Sequence, residues 1–173
     1  AVSYVAPPAP DPRSLDVRAF RFLNGRLANP ALDAVMPLVT DFDRWRVAVV
    51  VVWALIVLFG GAKGRWVALM LIPLIAASDQ LASSVVKPLV ARMRPCEVLG
   101  GVRLWHGPEG WITTPFDVAR SYKASFAFPS SHAANITASM LFLGLAYRRL
   151  LAPLAAVAAL VGFSRIYIGV HWP

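Results

Sequence analysis

The sequence predicts an all-α protein, an integral-membrane bundle of helices that cross the bilayer. Of its 173 residues, 58% are hydrophobic and only 15% are charged. The apolar residues come in blocks separated by short segments that carry Arg or Lys, as in membrane proteins. The length allows one domain. The net charge of +8 also suggests nucleic-acid binding as a function, but the sequence has no polar basic face that could bind a duplex.

The N-terminal residues divide into a leader and an amphipathic helix. Residues 1–14 are rich in Pro and lack the charged region and apolar core of a secretory signal peptide, so we expect a flexible leader. Residues 15–173 then form one membrane-embedded domain. In residues 15–27, apolar side chains recur at helical spacing between arginines, which predicts a short helix in the membrane interface. The alternative is a cytosolic helix packed on its own domain. The apolar positions are Val17, Phe20, Leu23 and Leu27, and the arginines are Arg18, Arg21 and Arg26.

Five apolar stretches follow, and each predicts a membrane span or part of one. The first comes after the helix-breaking pair Asn29-Pro30 and is short, so it is a first span or a half-span. The second is shorter than the roughly 20 residues that cross a bilayer, so flanking residues must complete it. The stretches are residues 31–40, 47–60, 66–86, 132–147 and 151–168.

The third span becomes polar towards its end. Asp79, Ser83 and Lys87 are four residues apart and therefore share one helix face. Ionisable groups at membrane depth are costly and tend to face a polar interior. Asp79 either holds a basic partner near a site or ties two spans together, and we favour the tie.

Residues 96–128 form a long connection rich in Gly, Pro and aromatic residues. A connection of this length in a compact protein is usually functional or disordered. Its aromatic side chains suit an extracytoplasmic lid that rests on the membrane interface.

The distribution of basic residues predicts an orientation. With the five stretches above, the N-terminal arginines, the loop at 61–65 and the Arg148-Arg149 pair lie on one side, which the positive-inside rule makes cytoplasmic. The end of the third span, the start of the fourth and the end of the fifth then meet at the extracytoplasmic side.

Those three ends carry residue types that suit a phosphate site. Lys87 and Arg94 are seven residues apart, so a continuing helix would put both on one face, although Pro88 and Pro95 oppose such a helix. Lys offers a point charge and Arg a bidentate fork to an anion. Arg92 lies between them and is a weaker candidate. Basic residues also commonly flank spans for structural reasons.

The second stretch is Pro129-Ser-Ser-His132, directly before an apolar helix. Ser130 is placed to cap that helix, which leaves its first backbone N–H groups free for an anion. A phosphate there would receive the Ser130 hydroxyl and the Ser131 N–H, with His132 within reach to protonate a leaving oxygen. An ordinary cap with an interfacial histidine is the alternative.

The third stretch runs from Ser164-Arg165 to His171. Six residues correspond to about 240° of helical rotation, so Arg165 and His171 converge only if the helix loosens, and Gly169 is the natural place. His171 as a nucleophile would form a phosphohistidine, with Arg165 countering the developing charge. Anchoring of a span end is the alternative.

Together the three stretches resemble the signature of the type-2 phosphatidic acid phosphatase family, whose catalytic core is shared with vanadium haloperoxidases. The matching residues are Lys87, Arg94-Pro95, Pro129-Ser-Ser-His132, Ser164-Arg165 and His171, in the family's order and spacing.

The resemblance implies a metal-independent, cofactor-free phosphatase that acts on a lipid phosphate in the bilayer. It implies His171 as nucleophile and His132 as general acid, with the phosphate cradled by Lys87, Arg94, Ser130, Ser131 and Arg165. It also implies six spans and a site facing outwards, in the inner membrane of a bacterium. The single Cys96 excludes an internal disulfide framework and a Cys-rich metal site. Neither nucleic acid nor an obligate protein partner is expected.

The sequence departs from the family pattern in two ways. Ser131 takes the place of a Gly, and Ser should serve because the role belongs to a backbone N–H. The family also has an Asp four residues after the nucleophile, which orients the imidazole, and a sixth span. Both would lie beyond Pro173, so we expect this sequence to be part of a longer protein.

Three functions remain open at this stage. The first is hydrolysis of a phosphomonoester or diphosphate of a lipid, with phosphatidylglycerophosphate, undecaprenyl diphosphate, phosphatidic acid and lipid A phosphates all admissible. The second is phosphate transfer to another lipid. The third is a non-catalytic binder or transporter of lipid phosphates, against which His132 and His171 argue.

Overall fold

In the computed structural model, which describes residues 10–116 and 126–173, the chain is mostly helical. Helix α1 (Leu15–Arg21) begins where the Ser14 hydroxyl accepts the Val17 N–H, and it continues into a π-helical turn, Phe22–Arg26. Helix α2 (Pro30–Thr40) begins at Asn29, whose side chain accepts the Leu32 N–H. The helix predicted from the periodicity of residues 15–27 is therefore present.

Four long helices form the bundle, and they confirm the positions of the second to fifth apolar stretches. They are α3 (Phe42–Phe59), α4 (Gly61–Gln80), α7 (Ser131–Ala146) and α8 (Leu151–Tyr167). Helix α7 packs between α4 and α8, and α4 also packs on α3. The third of the predicted spans extends past α4 through a π-helical segment, Leu81–Val86, into the short helix α5 (Lys87–Val90).

The first apolar stretch does not cross the bundle. Asp33, near the start of α2, accepts a hydrogen bond from the Tyr167 hydroxyl, and Thr40, at its end, accepts one from Arg165. Arg165 and Tyr167 lie in the same last turn of α8. Helix α2 therefore lies across one end of the bundle, and the possibility that it is a full first span is wrong.

This arrangement corrects the predicted position of the N-terminal arginines. The ring of Phe20 packs on Trp172 and the Asn24 side chain donates to the Tyr167 carbonyl, so α1 lies at the end of the bundle that carries the C-terminal stretch. Lys63, by contrast, donates to the Ala146 carbonyl at the opposite end. The prediction that the N-terminal segment shares a side with residues 61–65 and 148–149 was wrong, because it counted α2 as a crossing.

The bundle helices expose their large apolar side chains. None of the residues of α3 is buried, and Val47 and Phe59 expose 69% and 79% of their surface. Two helical segments, Gly61–Val98 and Arg148–Tyr167, are long and apolar enough to cross a membrane. Apolar surface of this extent belongs against lipid rather than water.

A compact apolar core lies at one end of the bundle, under residues that connect the spans. Helix α6 (Pro95–Val98) leads into a hairpin of β1 (Arg103–Trp105) and β2 (Trp111–Thr113), joined by a 3₁₀ turn, Gly107–Glu109. Residues 95–113, helix α1, Met36 of α2, Ala127 and the C-terminal stretch 167–172 pack together, and we call this assembly the cap. Its core contains Val17, Phe20, Met36, Cys96, Leu99, Val102, Leu104, Ala127, Tyr167, Ile168, Val170 and Trp172.

The predicted lid at 96–128 is thus partly an ordered element of the cap. Trp105 and Trp111 contact each other edge to face, and Trp111 also contacts the ring of Tyr167. Phe116 and Phe128 remain exposed. Residues 117–125, with Tyr122, lie outside the described residues. Contact of this connection with a membrane interface stays a prediction.

Candidate active site

His171 reaches the site through a tight turn after α8. The helix ends at Tyr167, and Gly169 takes a left-handed conformation with φ of 86°. The backbone N–H groups of Val170 and His171 then both donate to the Arg165 carbonyl. A Cβ atom on Gly169 would lie 2.4 Å from the Arg103 carbonyl oxygen, so glycine is required for both conformation and space. The predicted loosening at Gly169 is confirmed.

The hydrogen bonds of His171 define its tautomer. Its Nε2 lies 3.2 Å from an Arg94 Nη1, and its Nδ1 contacts the Ala127 carbonyl oxygen. A guanidinium only donates and a carbonyl only accepts. The proton is therefore on Nδ1, and Nε2 presents its lone pair.

The surroundings of His171 keep its imidazole neutral. The residue is only 5% exposed. Burial, followed by the charges of Arg165 and Arg94, lowers the pKa of His171 to about 3. The lone pair on Nε2 is consequently available throughout the neutral pH range.

Lys87 and Arg94 are brought together by a turn rather than by one helix. Helix α5 ends at Val90, and Ala91 is left-handed with φ of 45°. The possibility that a continuing helix puts both cations on one face is therefore wrong, although their charges and that of Arg165 still act on one another.

Arg94 is fixed at the start of α6. Its guanidinium donates to the Val170 and Phe126 carbonyls at 2.9 and 3.4 Å. These contacts tie the connection between the spans to the turn that carries His171.

Arg165 has a buried donor without a partner. Its Nη1 donates to the Thr40 hydroxyl at 2.7 Å, whereas its Nε is buried with no hydrogen-bond partner in the described parts of the chain. A buried guanidinium N–H left unpaired is costly. An oxyanion beside Arg165 would satisfy it.

The start of α7 supplies further donors. The Ser130 hydroxyl accepts the Ala133 N–H at 3.3 Å, which confirms Ser130 as the cap. The Ser131 hydroxyl forms a hydrogen bond of 3.0 Å with the Ser83 hydroxyl. The side chain that replaces the family's glycine is therefore held against the π-helical segment that follows α4. Within residues 10–116 and 126–173, the N–H groups of Ser131 and His132 have no backbone acceptor. Such free N–H groups at a helix start favour an anion.

His132 lies at the same helix start and near Arg165. The charge of Arg165 acts on His132, and the ring of Phe42 meets the imidazole edge to face with centroids 6.0 Å apart. The three stretches that the sequence selected therefore converge: His171 contacts Arg94, and Arg165 acts on both histidines.

Two neighbouring polar residues have structural partners. Arg92 pairs with Asp16 at 2.6 Å and lies over the ring of Trp172, so it belongs to the cap. The carboxylate of Asp79 accepts a hydrogen bond from Asn135, which ties α4 to α7 as favoured from the sequence.

Sequence reasoning missed three contributors to this site. Thr40 and Phe42 come from the corner between α2 and α3, and Ala127 contributes a backbone carbonyl. None has a local sequence signal, because each is defined by a partner more than forty residues away in the chain.

This geometry, with cations around a buried imidazole at the end of an apolar bundle, suits the binding of a phosphate. The sequence model of the PAP2 superfamily matches residues 67–173, more than half of the chain. The chain therefore belongs to the PAP2 superfamily.

Individual relatives agree with this assignment. A protein of Bacteroides thetaiotaomicron described as Lipid A 4'-phosphatase is 29% identical over 167 residues, which are 92% of this chain and 68% of that protein. The crystal structure of Aquifex aeolicus LpxE matches with a TM-score of 0.65 at 22% identity, over 92% of this chain and 84% of that one. The transmembrane PAP2-type phosphatidylglycerolphosphate phosphatase of Bacillus subtilis matches with a TM-score of 0.57 at 22% identity, over 93% and 77%. The protein is thus a membrane protein of the PAP2 phosphatase class.

Proposed function

We propose that this protein is a metal-independent lipid-phosphate phosphatase that works through a phosphohistidine at His171. The observation that carries the proposal is the Nε2 lone pair of His171, which faces Arg94 while Nδ1 keeps its proton against Ala127. A neutral imidazole aimed at a cluster of fixed cations is what attack on a phosphate dianion requires.

The first step transfers the phosphoryl group to the protein. Substrate binding moves the Arg94 N–H from Nε2 to a phosphate oxygen, with Lys87 and Arg165 neutralising the remaining charge. The Nε2 lone pair then forms the N–P bond while the bond from phosphorus to the lipid oxygen breaks. His132 donates its proton to that leaving oxygen.

The second step regenerates the histidine. His132, now neutral, accepts a proton from a water molecule whose oxygen attacks phosphorus, and the N–P bond breaks to release inorganic phosphate. The Ser130 hydroxyl and the Ser131 N–H contact the phosphate oxygens in both steps. The Ala127 carbonyl stabilises the positive charge that the ring carries while phosphorylated.

For the substrate, we propose a phosphate of lipid A first and phosphatidylglycerophosphate second. The first choice is supported by the 29% identity to a protein described as Lipid A 4'-phosphatase. The second is included because a phosphatidylglycerolphosphate phosphatase has the same fold. Phosphatidic acid and undecaprenyl diphosphate present the same reacting group and belong in any test.

We propose the bacterial inner membrane as location, with the site facing outwards. The family resemblance supports this orientation, whereas the charge count no longer does. Basic residues flank both ends of the bundle now that Arg18, Arg21 and Arg26 lie at the site end. Cysteines introduced by Pro108→Cys in the cap and Ala62→Cys at the opposite end would test it in intact cells. If an impermeant maleimide labels the Ala62→Cys protein and not the Pro108→Cys protein, the proposed orientation is wrong and the site faces inwards.

The decisive experiment measures phosphate release by the purified full-length protein in detergent, with EDTA present, from the four lipid phosphates named above. Wild type is compared with His171→Ala and with the matched control His106→Ala, since His106 lies on the hairpin away from the site. We expect release by wild type and by the control, and a loss of about a thousandfold or more for His171→Ala.

Two other outcomes would change the function. Release that EDTA abolishes would contradict metal independence. Absence of release from every lipid, together with consumption of the lipid phosphate once a lipid alcohol is added, would identify a phosphotransferase. A folded protein that binds lipid phosphates but changes none of them would be a binder.

A further inference from the structure

The corner between α2 and α3 closes the proposed phosphate site from a side that no motif covers. It lies before residue 67, where the match to the family begins. Thr40 contacts Arg165 and Phe42 contacts His132, so two residues of this corner touch two of the residues singled out for chemistry. Asp41, between them, begins α3 by accepting the Arg44 N–H.

Thr40 holds the guanidinium of Arg165 in one orientation. Its hydroxyl oxygen accepts from Nη1 at 2.7 Å, and the residue is only 9% exposed. A guanidinium is a planar fork, so fixing Nη1 fixes the direction of the edge formed by Nε and Nη2. Nε on that edge is the buried donor that lacks a partner among the described residues. The Nε–H of Arg165 is therefore presented for side-on contact with an oxyanion.

The Thr40 hydroxyl itself has a hydrogen to donate. A hydroxyl has one donor and two acceptor positions, and across residues 10–116 and 126–173 the contact with Arg165 is its hydrogen bond. Thr at the end of a helix can give its proton to the carbonyl four residues earlier, but no such bond to Met36 is formed. An oxyanion bound at the Arg165 edge would lie beside this hydroxyl.

We propose that Thr40 is a further phosphate-binding residue, which donates its hydroxyl proton to a phosphate oxygen and directs the Nε edge of Arg165 towards the same phosphate. The proposal rests on the function proposed above only in naming phosphate as the anion. It extends the site beyond the three stretches of the family signature to a helix that the signature does not include.

The test uses inorganic phosphate as the probe, so that it needs no turnover. Affinity is read from the rise in melting temperature of the purified full-length protein with phosphate concentration. The variants are Thr40→Val, which removes the hydroxyl at constant shape, Thr40→Ala, which removes it without a packing demand, and Thr40→Ser, which keeps it. Thr137→Val is the matched control, because Thr137 is an exposed position of α7.

We expect Thr40→Val and Thr40→Ala to weaken phosphate binding by about tenfold or more, the loss typical of a hydrogen bond to a charged group. Thr40→Ser should bind within about threefold of wild type, a residual cost of under 1 kcal/mol. The control should match wild type. With a lipid phosphate as substrate, the two variants that lack the hydroxyl should also lower kcat.

Unchanged phosphate affinity in Thr40→Val and Thr40→Ala would overturn the proposal. This holds even if these variants melt at a lower temperature in the absence of phosphate, because Thr40 would then stabilise the fold without binding phosphate. The two proposals fail separately. A wild type that binds phosphate but releases none from any lipid contradicts the phosphatase and leaves the Thr40 comparison valid. A wild type that releases phosphate from a lipid but binds no inorganic phosphate overturns the Thr40 proposal and leaves the phosphatase standing.

Discussion

The lipid-exposed part of the bundle and the cap bury their apolar side chains against different partners. Helix α3 contains no buried residue and turns its valines and leucines outwards, whereas the cap holds nearly all of the apolar core. In the bundle, lipid takes the place of protein as the apolar neighbour, and many apolar side chains serve equally well there. In the cap, each side chain fits particular neighbours, so shape matters.

This difference indicates which part of the protein holds the residues of the proposed site in place. His171 follows Ile168, Gly169 and Val170, all buried in the cap, and Arg94 and Ala127 reach it from cap segments. The bundle contributes Lys87, His132 and Arg165 from its helix ends. We therefore expect paired substitutions, one in the cap and one in the bundle, to differ strongly in effect.

The largest difference is expected between two glycines on either side of the end of α8. In Gly169→Ala, the new Cβ meets the Arg103 carbonyl at 2.4 Å and the left-handed backbone adds strain. We expect loss of at least 99% of phosphate release, because the turn that carries His171 must move. In Gly162→Ala the Cβ has no atom within 4 Å, and helix propensity improves. That variant should keep wild-type activity, and its melting temperature should stay the same or rise.

Both activities are measured in the same phosphate-release assay, with the melting temperature recorded in detergent. Wild-type activity in Gly169→Ala would show that His171 does not depend on this turn.

Phenylalanine to alanine substitutions provide the next comparison. Phe20 is 1% exposed and packs on Trp172, next to His171. Phe20→Ala should cost about 3 to 5 kcal/mol, as for other buried aromatic residues. Phe59 is 79% exposed at the far end of α3. Phe59→Ala should therefore lower the free energy of unfolding by about 0.5 kcal/mol or less. Denaturation in mixed micelles measures both, and equal costs would contradict the assignment of the protein core to the cap.

The sequence predicted those parts of the fold whose cause is local. Apolar stretches gave the four bundle helices, and Ser130 and Gly169 gave the helix start and the turn, since capping and left-handed conformations depend on residues nearby. The residues of the proposed site followed from the family signature, which records spatial neighbours as a fixed order of motifs.

The parts that were missed depend on distant partners. Helix α2 is as apolar as a short span, and the bonds of Asp33 and Thr40 to Tyr167 and Arg165 show that it lies across the end of the bundle. The hairpin is pinned by the Trp105 N–H, which donates to the Ile168 carbonyl. Neither partner is visible from the local pattern, so α2 was counted as a crossing and the N-terminal arginines were assigned to the wrong end.

The smallest difference is expected between two aspartates that pair with arginine. Asp33 binds Arg103 at 2.7 Å and also accepts from Tyr167, and both members of the ion pair are about three-quarters buried. Asp33→Asn should cost about 1 to 2 kcal/mol, because a largely buried guanidinium loses its charged partner. Asp43 and Arg46 form an exposed pair on α3 with 3.6 Å between their atoms, so Asp43→Asn should change stability by about 0.5 kcal/mol or less.

Because Asp33 joins α2 and the hairpin to the residue that begins the His171 turn, its loss should also reduce phosphate release, which Asp43→Asn should leave intact. Equal effects of the two substitutions on release would mean that α2 only covers the site and does not hold its geometry.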